Sequence, residues 1–237
     1  MNCATSCAAV IPCLNEASTI RGLVQAVRGY LPNVIVVDDG STDATGAEAG
    51  AAGAEVIRHP EPQGKGAALL DGWNRALSRG FAWVLSMDGD GQHAPEDIPA
   101  FLACADAGGA TLIVGNRMID PAGMPWLRRQ VNQYMSRRLS RLTGQSLPDT
   151  QCGYRLMRLD IWAQADLQTR HFELESEVLL AYARANQRIQ FVPIRVIYQN
   201  ETSKINPLRD TWRWFRWLKG QKVVGSEQSS VSVSTEQ

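Results

Sequence analysis

Two carboxylates two residues apart, Asp88 and Asp90, stand in the run Ser86-Met87-Asp88-Gly89-Asp90-Gly91-Gln92-His93. Carboxylates so spaced can turn toward one hard cation. Mg²⁺ and Mn²⁺ prefer oxygen ligands, and Mg²⁺ usually takes one or two protein carboxylates together with phosphate oxygens. The glycines of the run let backbone and ligand approach closely. An acidic, glycine-rich turn with no ligand fits the same residues. An EF-hand loop does not: counted from Asp88, the sixth position is His93 instead of glycine and the twelfth is Pro99 instead of glutamate.

A second acidic cluster reads Asp38-Asp39-Gly40-Ser41-Thr42-Asp43. Ser41 or Thr42 suits a helix N-cap, and Asp43 suits the positive end of the helix dipole. Capping leaves Asp38 and Asp39 unexplained. A third cluster, Gln63-Gly64-Lys65-Gly66, puts Lys65 at a helix start, where an anion can be met. It is not a Walker A loop, because His59 stands where its first glycine belongs and no Ser or Thr follows Lys65. No Gly-x-Gly-x-x-Gly follows the first strand either, which disfavours a dinucleotide-binding dehydrogenase.

The elements that must position these clusters alternate. Strands are expected at Cys7–Pro12, Val34–Asp38, Ala54–Arg58, Trp83–Asp88 and Thr111–Gly115, with helices at Glu16–Tyr30, Thr42–Ala52, Gly66–Arg79 and Pro95–Ala105. Such alternation implies an α/β fold with a mostly parallel sheet flanked by helices. Ligands of such sheets lie beyond the carboxyl ends of the strands. The acidic clusters and Asn116-Arg117 directly follow strand candidates. In the second half, helices are expected at Trp126–Leu142, Phe172–Ala185 and Asp210–Lys222, and a strand at Gln190–Tyr198.

The 237 residues suit one globular domain, and 24 basic against 24 acidic residues leave no global field to gather nucleic acid. Five cysteines without a Cys-x-x-Cys pair fit reduced thiols in a cytosol. The N-terminus does not read as a signal peptide, and no apolar run reaches the roughly 18 residues of a membrane span. The Ser-, Gln- and Glu-rich residues 225–237 read as a disordered tail.

Taken in order, Ile11-Pro12-Cys13-Leu14-Asn15-Glu16, Val37-Asp38-Asp39-Gly40-Ser41-Thr42-Asp43, Gly64-Lys65-Gly66 and Asp88-Gly89-Asp90-Gly91-Gln92-His93 resemble the family 2 glycosyltransferases of the GT-A fold. Within that family they resemble the branch that moves a hexose onto dolichyl or polyprenyl phosphate. The resemblance implies a single nucleotide-sugar-binding domain over 1–222, ending in an amphipathic helix at about 207–222. It implies a UDP- or GDP-hexose donor and Mg²⁺ or Mn²⁺ as cofactor. Pro12, Leu14 and Glu16 would line the base and ribose pocket, where family members often carry Tyr at the position of Leu14, and Asp39 would contact base or ribose. Lys65 and Asp88 would belong to the donor site. Asp88, Asp90 and Gln92 would hold the metal against the diphosphate, Asp90 being catalytic, and Arg117 would face phosphate. Glu175 is similar in context to a family residue near the sugar.

Inverting transfer to an alcohol needs a general base. In Pro148-Asp149-Thr150-Gln151-Cys152-Gly153-Tyr154-Arg155, Asp149 is the one acid. It would serve as base for an alcohol acceptor, or orient the loop. A phosphate acceptor, with a second pKa of about 6, needs cations and no base. Arg128, Arg155 and Lys204 are candidates for holding it, Lys204 because Thr202-Ser203-Lys204-Ile205 resembles the family's Ser-Lys segment. Trp212, Trp214, Phe215 and Trp217 among Arg209, Arg213, Arg216, Lys219 and Lys222 suit either a membrane interface or docking onto the domain. The expected setting is cytoplasmic, peripheral on the inner face of the membrane, on its surface or on a membrane partner protein. The competing readings are a hydroxyl acceptor with Asp149 as base, and a non-catalytic nucleotide-sugar-binding subunit. A nucleotidyltransferase is disfavoured, because its Gly-rich basic loop would stand where Pro12–Glu16 does.

Overall fold

The computed structural model describes residues 3–121, 123–197 and 207–224. Seven strands form one sheet in the order β3-β2-β1-β4-β6-β5-β7. They are β1 Cys7–Cys13, β2 Val34–Asp38, β3 Glu55–Arg58, β4 Trp83–Ser86, β5 Leu112–Asn116, β6 Arg155–Arg158 and β7 Ile189–Pro193. Only β6 runs against its neighbours β4 and β5; the other pairings are parallel. β1, β2 and β5 are buried at every position, as their Val- and Ile-rich sequences require of strands covered on both faces.

The flanking helices are α1 Ile20–Arg28, α2 Thr45–Ala51, α3 Lys65–Ser78, α4 Ile98–Asp106, α5 Trp126–Thr143, α6 Leu159–Trp162, α7 Leu174–Arg184 and α8 Pro207–Lys219. α3 buries Leu69, Trp73 and Ala76, and Trp73 donates its ring N–H to Ser86 Oγ at 2.8 Å. The same ring meets Trp162 of α6 edge-on at 5.7 Å. Thus α3, which begins at Lys65, is anchored against the sheet directly beneath the end of β4.

Three boundaries differ from the sequence expectation in ways that matter. β4 ends at Ser86, two residues short of Asp88, so Asp88–Asp90 lies in the turn beyond the sheet. α2 starts at Thr45, and neither Ser41 nor Thr42 caps it. Ser41 Oγ instead accepts the Asn15 N–H at 2.9 Å, which ties the segment after β2 to the segment after β1. β6 and α6 carry too short a pattern to be read from sequence. The reversal of β6 is decisive, because its beginning, not its end, lies at the carboxyl edge of the parallel strands. Arg155 pairs with Ser86 on one side and Val114 on the other, and this carries the loop Asp149–Tyr154 over the acidic turn.

Candidate active site

The carboxyl edge of the sheet gathers Pro12–Glu16, Asp38-Asp39, Asp88–Gln92 and Asn116-Arg117, as the strand ends predict. Its centre is an ion cluster. Lys65 Nζ lies 2.6 Å from Asp88 Oδ1 and 2.9 Å from Glu175 Oε1. Burial opposes the charge on Lys65, but the two carboxylates outweigh it and hold the ammonium above the usual lysine value. Burial likewise opposes ionisation of Asp88. Lys65, aided by His93 and Arg117, reverses that and keeps the carboxyl well below the ordinary range. Asp88 and Lys65 are therefore both charged near neutral pH.

Two glycines make this approach possible. A Cβ on Gly153 would fall 2.9 Å from Lys65 Nζ and 3.0 Å from Asp88 Oδ1. One on Gly66 would fall 2.4 Å from the Arg170 backbone, so glycine there lets α3 press against the chain that leads into α7 and Glu175. Neither role follows from the sequence motifs. Glu175 carries a signal only through its family-like context, and Gly153 carries none beyond its place near Asp149.

His93 shapes the acidic turn. Its Nδ1 accepts the Asp88 backbone N–H at 3.2 Å, and its ring stacks on Tyr154 at 5.0 Å. Burial lowers the ring pKa to about 4, with Asp88 pulling the other way and Arg117 and Lys65 adding to the fall. A neutral ring is what an accepting Nδ1 needs. Asp90 Oδ1 accepts the Gln92 N–H at 3.0 Å, which closes the turn.

Several of the expected site residues have partners within the protein. The Asp39 carboxylate is engaged by the loop before α3. Its Oδ1 accepts the Gln63 N–H and lies 2.7 Å from His59 Nδ1, and its Oδ2 accepts the Gly64 N–H, both amide bonds at 2.8 Å. Asp39 is a clamp on the loop that delivers Lys65. Asp149 is fully buried against Arg117, with Nε to Oδ2 at 2.8 Å and NH2 to Oδ1 at 2.9 Å. Its oxygens also accept the Arg117 N–H and the Asn132 amide. Both of its oxygens are thus engaged within the protein. Arg155 is buried too. It donates to the carbonyls of Cys152 at 2.7 Å, Thr150 at 2.9 Å and Glu175, and so braces the loop before β6.

Pro12 is buried inside β1, Leu14 is half-buried beyond its end, and Glu16 is buried with its N–H donated to Thr45 Oγ1 at 2.7 Å. Arg128 is exposed on α5. Lys204 and the tail 225–237 lie outside the described residues.

The donor set fits a divalent cation completed by substrate. Asp88, Asp90 and Gln92 offer hard oxygen atoms, and Gly153 sets no side chain of its own against the Asp88 oxygens, which Lys65 Nζ approaches to 2.6 Å. No group of three or more His, Cys, Asp or Glu able to hold a metal forms among the described residues. A cation here would thus complete its shell with diphosphate and water.

Residues 8–164 match the model of Glycosyl transferase family 2. The chain belongs to that family. It is 35% identical over 170 residues to polyprenol monophosphomannose synthase of Mycolicibacterium smegmatis, covering 67% of this chain and 63% of that protein. It is 30% identical over 201 residues to undecaprenyl-phosphate mannosyltransferase of Micrococcus luteus, covering 79% of this chain and 82% of that protein. Its fold matches glucosyl-3-phosphoglycerate synthase from Mycobacterium tuberculosis, solved with Mn²⁺, uridine diphosphate and phosphoglyceric acid. The TM-score is 0.68 at 20% identity, over 92% of this chain and 78% of that one. The fold of this glycosyltransferase is therefore GT-A, and the reversed β6 belongs to its mostly parallel sheet.

Proposed function

We propose that this glycosyltransferase moves a hexose, glucose or mannose, from a UDP- or GDP-sugar to a polyprenyl phosphate, with inversion and with Mg²⁺ or Mn²⁺. The observation that carries this reading is the burial of Asp149 against Arg117. The acid that an alcohol acceptor would need as base is engaged, and a phosphate acceptor needs none. In the transfer, an acceptor phosphate oxygen attacks the anomeric carbon. The bond from that carbon to the donor diphosphate breaks, and its electron pair leaves on the diphosphate oxygen. No proton is removed.

Asp88, Asp90 and Gln92 would hold the cation, which when bound neutralises charge on the leaving diphosphate. Lys65 adds a positive charge at the same edge, and Glu175 and the Arg155-braced loop would confine the sugar side. The relatives' printed names, polyprenol monophosphomannose synthase and undecaprenyl-phosphate mannosyltransferase, agree with a lipid phosphate acceptor.

The same reading sets the protein peripherally on the cytoplasmic face of a membrane, on lipid or on a membrane partner protein. No described helix is long and apolar enough to cross a bilayer. α5 carries five arginines and no acid, with Trp126 and Leu127 exposed, and Tyr134 on α5 meets Phe215 on α8 at 5.7 Å. Basic and aromatic groups mixed on two adjoining helices suit an anionic interface.

A panel of UDP- and GDP-hexoses with Mn²⁺ and a short-chain polyprenyl phosphate tests the proposal. Glycosyl-phospholipid should form with wild type and be abolished in Asp90→Ala, whose circular dichroism should match wild type. Transfer to a sugar hydroxyl alone, with none to the lipid phosphate, would overturn the acceptor assignment. Undiminished turnover in Asp90→Ala would overturn the metal assignment.

A further inference from the structure

We infer that Lys65 is a built-in placeholder for the divalent cation, so that the metal enters only together with a diphosphate that draws Lys65 away. The inference rests on the metal-dependent reading above and concerns the order in which the site is assembled.

One nitrogen, Lys65 Nζ, lies within 3 Å of carboxylate oxygens from two different elements, Asp88 in the turn after β4 and Glu175 in α7. Among the described residues it is the cation in direct contact with Asp88. A metal ion at Asp88 would have to share that carboxylate with the ammonium or displace it. Like charges packed at this range repel, and the repulsion counts most where water is partly excluded. The Glu175 side chain is only 8% exposed, so it gains little from solvent and depends on the Lys65 charge.

The geometry also supplies the release. Lys65 stands at the first position of α3, where its side chain is 41% exposed and its stem has the freedom to swing. A diphosphate arriving at this edge offers the ammonium a stronger anionic partner than one carboxylate. Once Lys65 turns to it, the freed Asp88 oxygen is open to the metal that the same diphosphate brings. Gly153 leaves room for that exchange, since any side chain there would meet Lys65 Nζ and both Asp88 oxygens.

Mn²⁺ binding read by electron paramagnetic resonance tests this without any turnover. The free wild-type protein should bind Mn²⁺ weakly, and added UDP or GDP should bring binding into the accessible range. Lys65→Met should bind Mn²⁺ alone at least about tenfold more tightly than wild type, because Asp88 and Glu175 then face each other without a cation; tenfold corresponds to roughly 1.4 kcal/mol. Lys65→Arg keeps the charge and should stay as weak as wild type. Should Lys65→Met not fold, Lys65→Gln makes the same comparison. Equal affinity of the free wild type and the neutral variants would overturn the placeholder while leaving the metal site standing. No Mn²⁺ binding by wild type even with UDP or GDP would overturn the metal reading itself.

Discussion

Arg117 and Asp149 face each other in a buried, two-pronged ion pair, Nε to Oδ2 at 2.8 Å and NH2 to Oδ1 at 2.9 Å. The pair joins the end of β5 to the loop that precedes β6. It holds the cation expected to meet phosphate against the acid that would serve as base for an alcohol acceptor or orient the loop.

Asp149→Ala should destabilise the fold by roughly 3 kcal/mol or more, because it leaves the Arg117 charge buried without its partner. Urea unfolding measures this. The pH dependence has a defined sign. Burial opposes ionisation of Asp149, but Arg117 outweighs it and lowers the carboxyl below its ordinary value. The pair's contribution is then present above the unfolded carboxyl pKa of about 3.9 and is lost as pH falls through the lower folded value. Stability should show no transition from this pair between about pH 5 and pH 8. A rate profile with a limb that moves in Asp149→Asn would restore Asp149 as base.

Gly153→Ala should spare the fold and injure the site. The added methyl meets the tips of Lys65 and Asp88, not backbone, and these can give way. The melting temperature should change by no more than about 4 °C. The displacement of the two charged groups should lower kcat/KM by about a hundredfold. A variant with wild-type kinetics would show that the tight approach has no part in turnover.

Asp39→Ala should loosen the loop 59–64. It removes the acceptors of the Gln63 and Gly64 amides and the partner of His59 Nδ1. The contact of His59 Nε2 with Asp71 Oδ2 at 3.0 Å and the His59 N–H to the Asp38 carbonyl at 2.9 Å would remain. We expect a stability loss of about 1–3 kcal/mol together with a raised KM for the donor, since Lys65 loses its footing. If Asp39 reads the nucleotide base instead, the variant would alter the preference between UDP and GDP at unchanged stability.

The tryptophans of α8 should separate by role. Trp214 is fully buried and donates its ring N–H to Ser176 Oγ at 2.9 Å, so Trp214→Ala should cost about 3–5 kcal/mol. Trp212 is 60% exposed and Trp126 on α5 is 72% exposed. Replacing these two by alanine should leave stability within about 0.5 kcal/mol and weaken sedimentation with phosphatidylglycerol vesicles. Binding to such vesicles that is unchanged in the double variant would remove this face from membrane contact.

The parallel core was legible in the sequence because buried strands and amphipathic helices leave period and composition on the chain, and because strand ends in such a sheet mark the ligand edge. On that basis Asp88, Asp90, Lys65 and Arg117 could be gathered at one edge before any geometry was known. The partners each of them chose could not be read. β6 is four residues long and reversed, and it leaves no periodic trace, yet it swings Gly153 onto Asp88 and Asp149 onto Arg117. The roles of Asp39, Asp149 and Arg155 depend on which oxygen or nitrogen faces which loop. Such pairings join residues from 3 to 32 positions apart in these three cases, and a local pattern holds no record of them. Residue type and order thus determined what the edge is made of, and only the folded chain decided which charges stay available and which cancel one another.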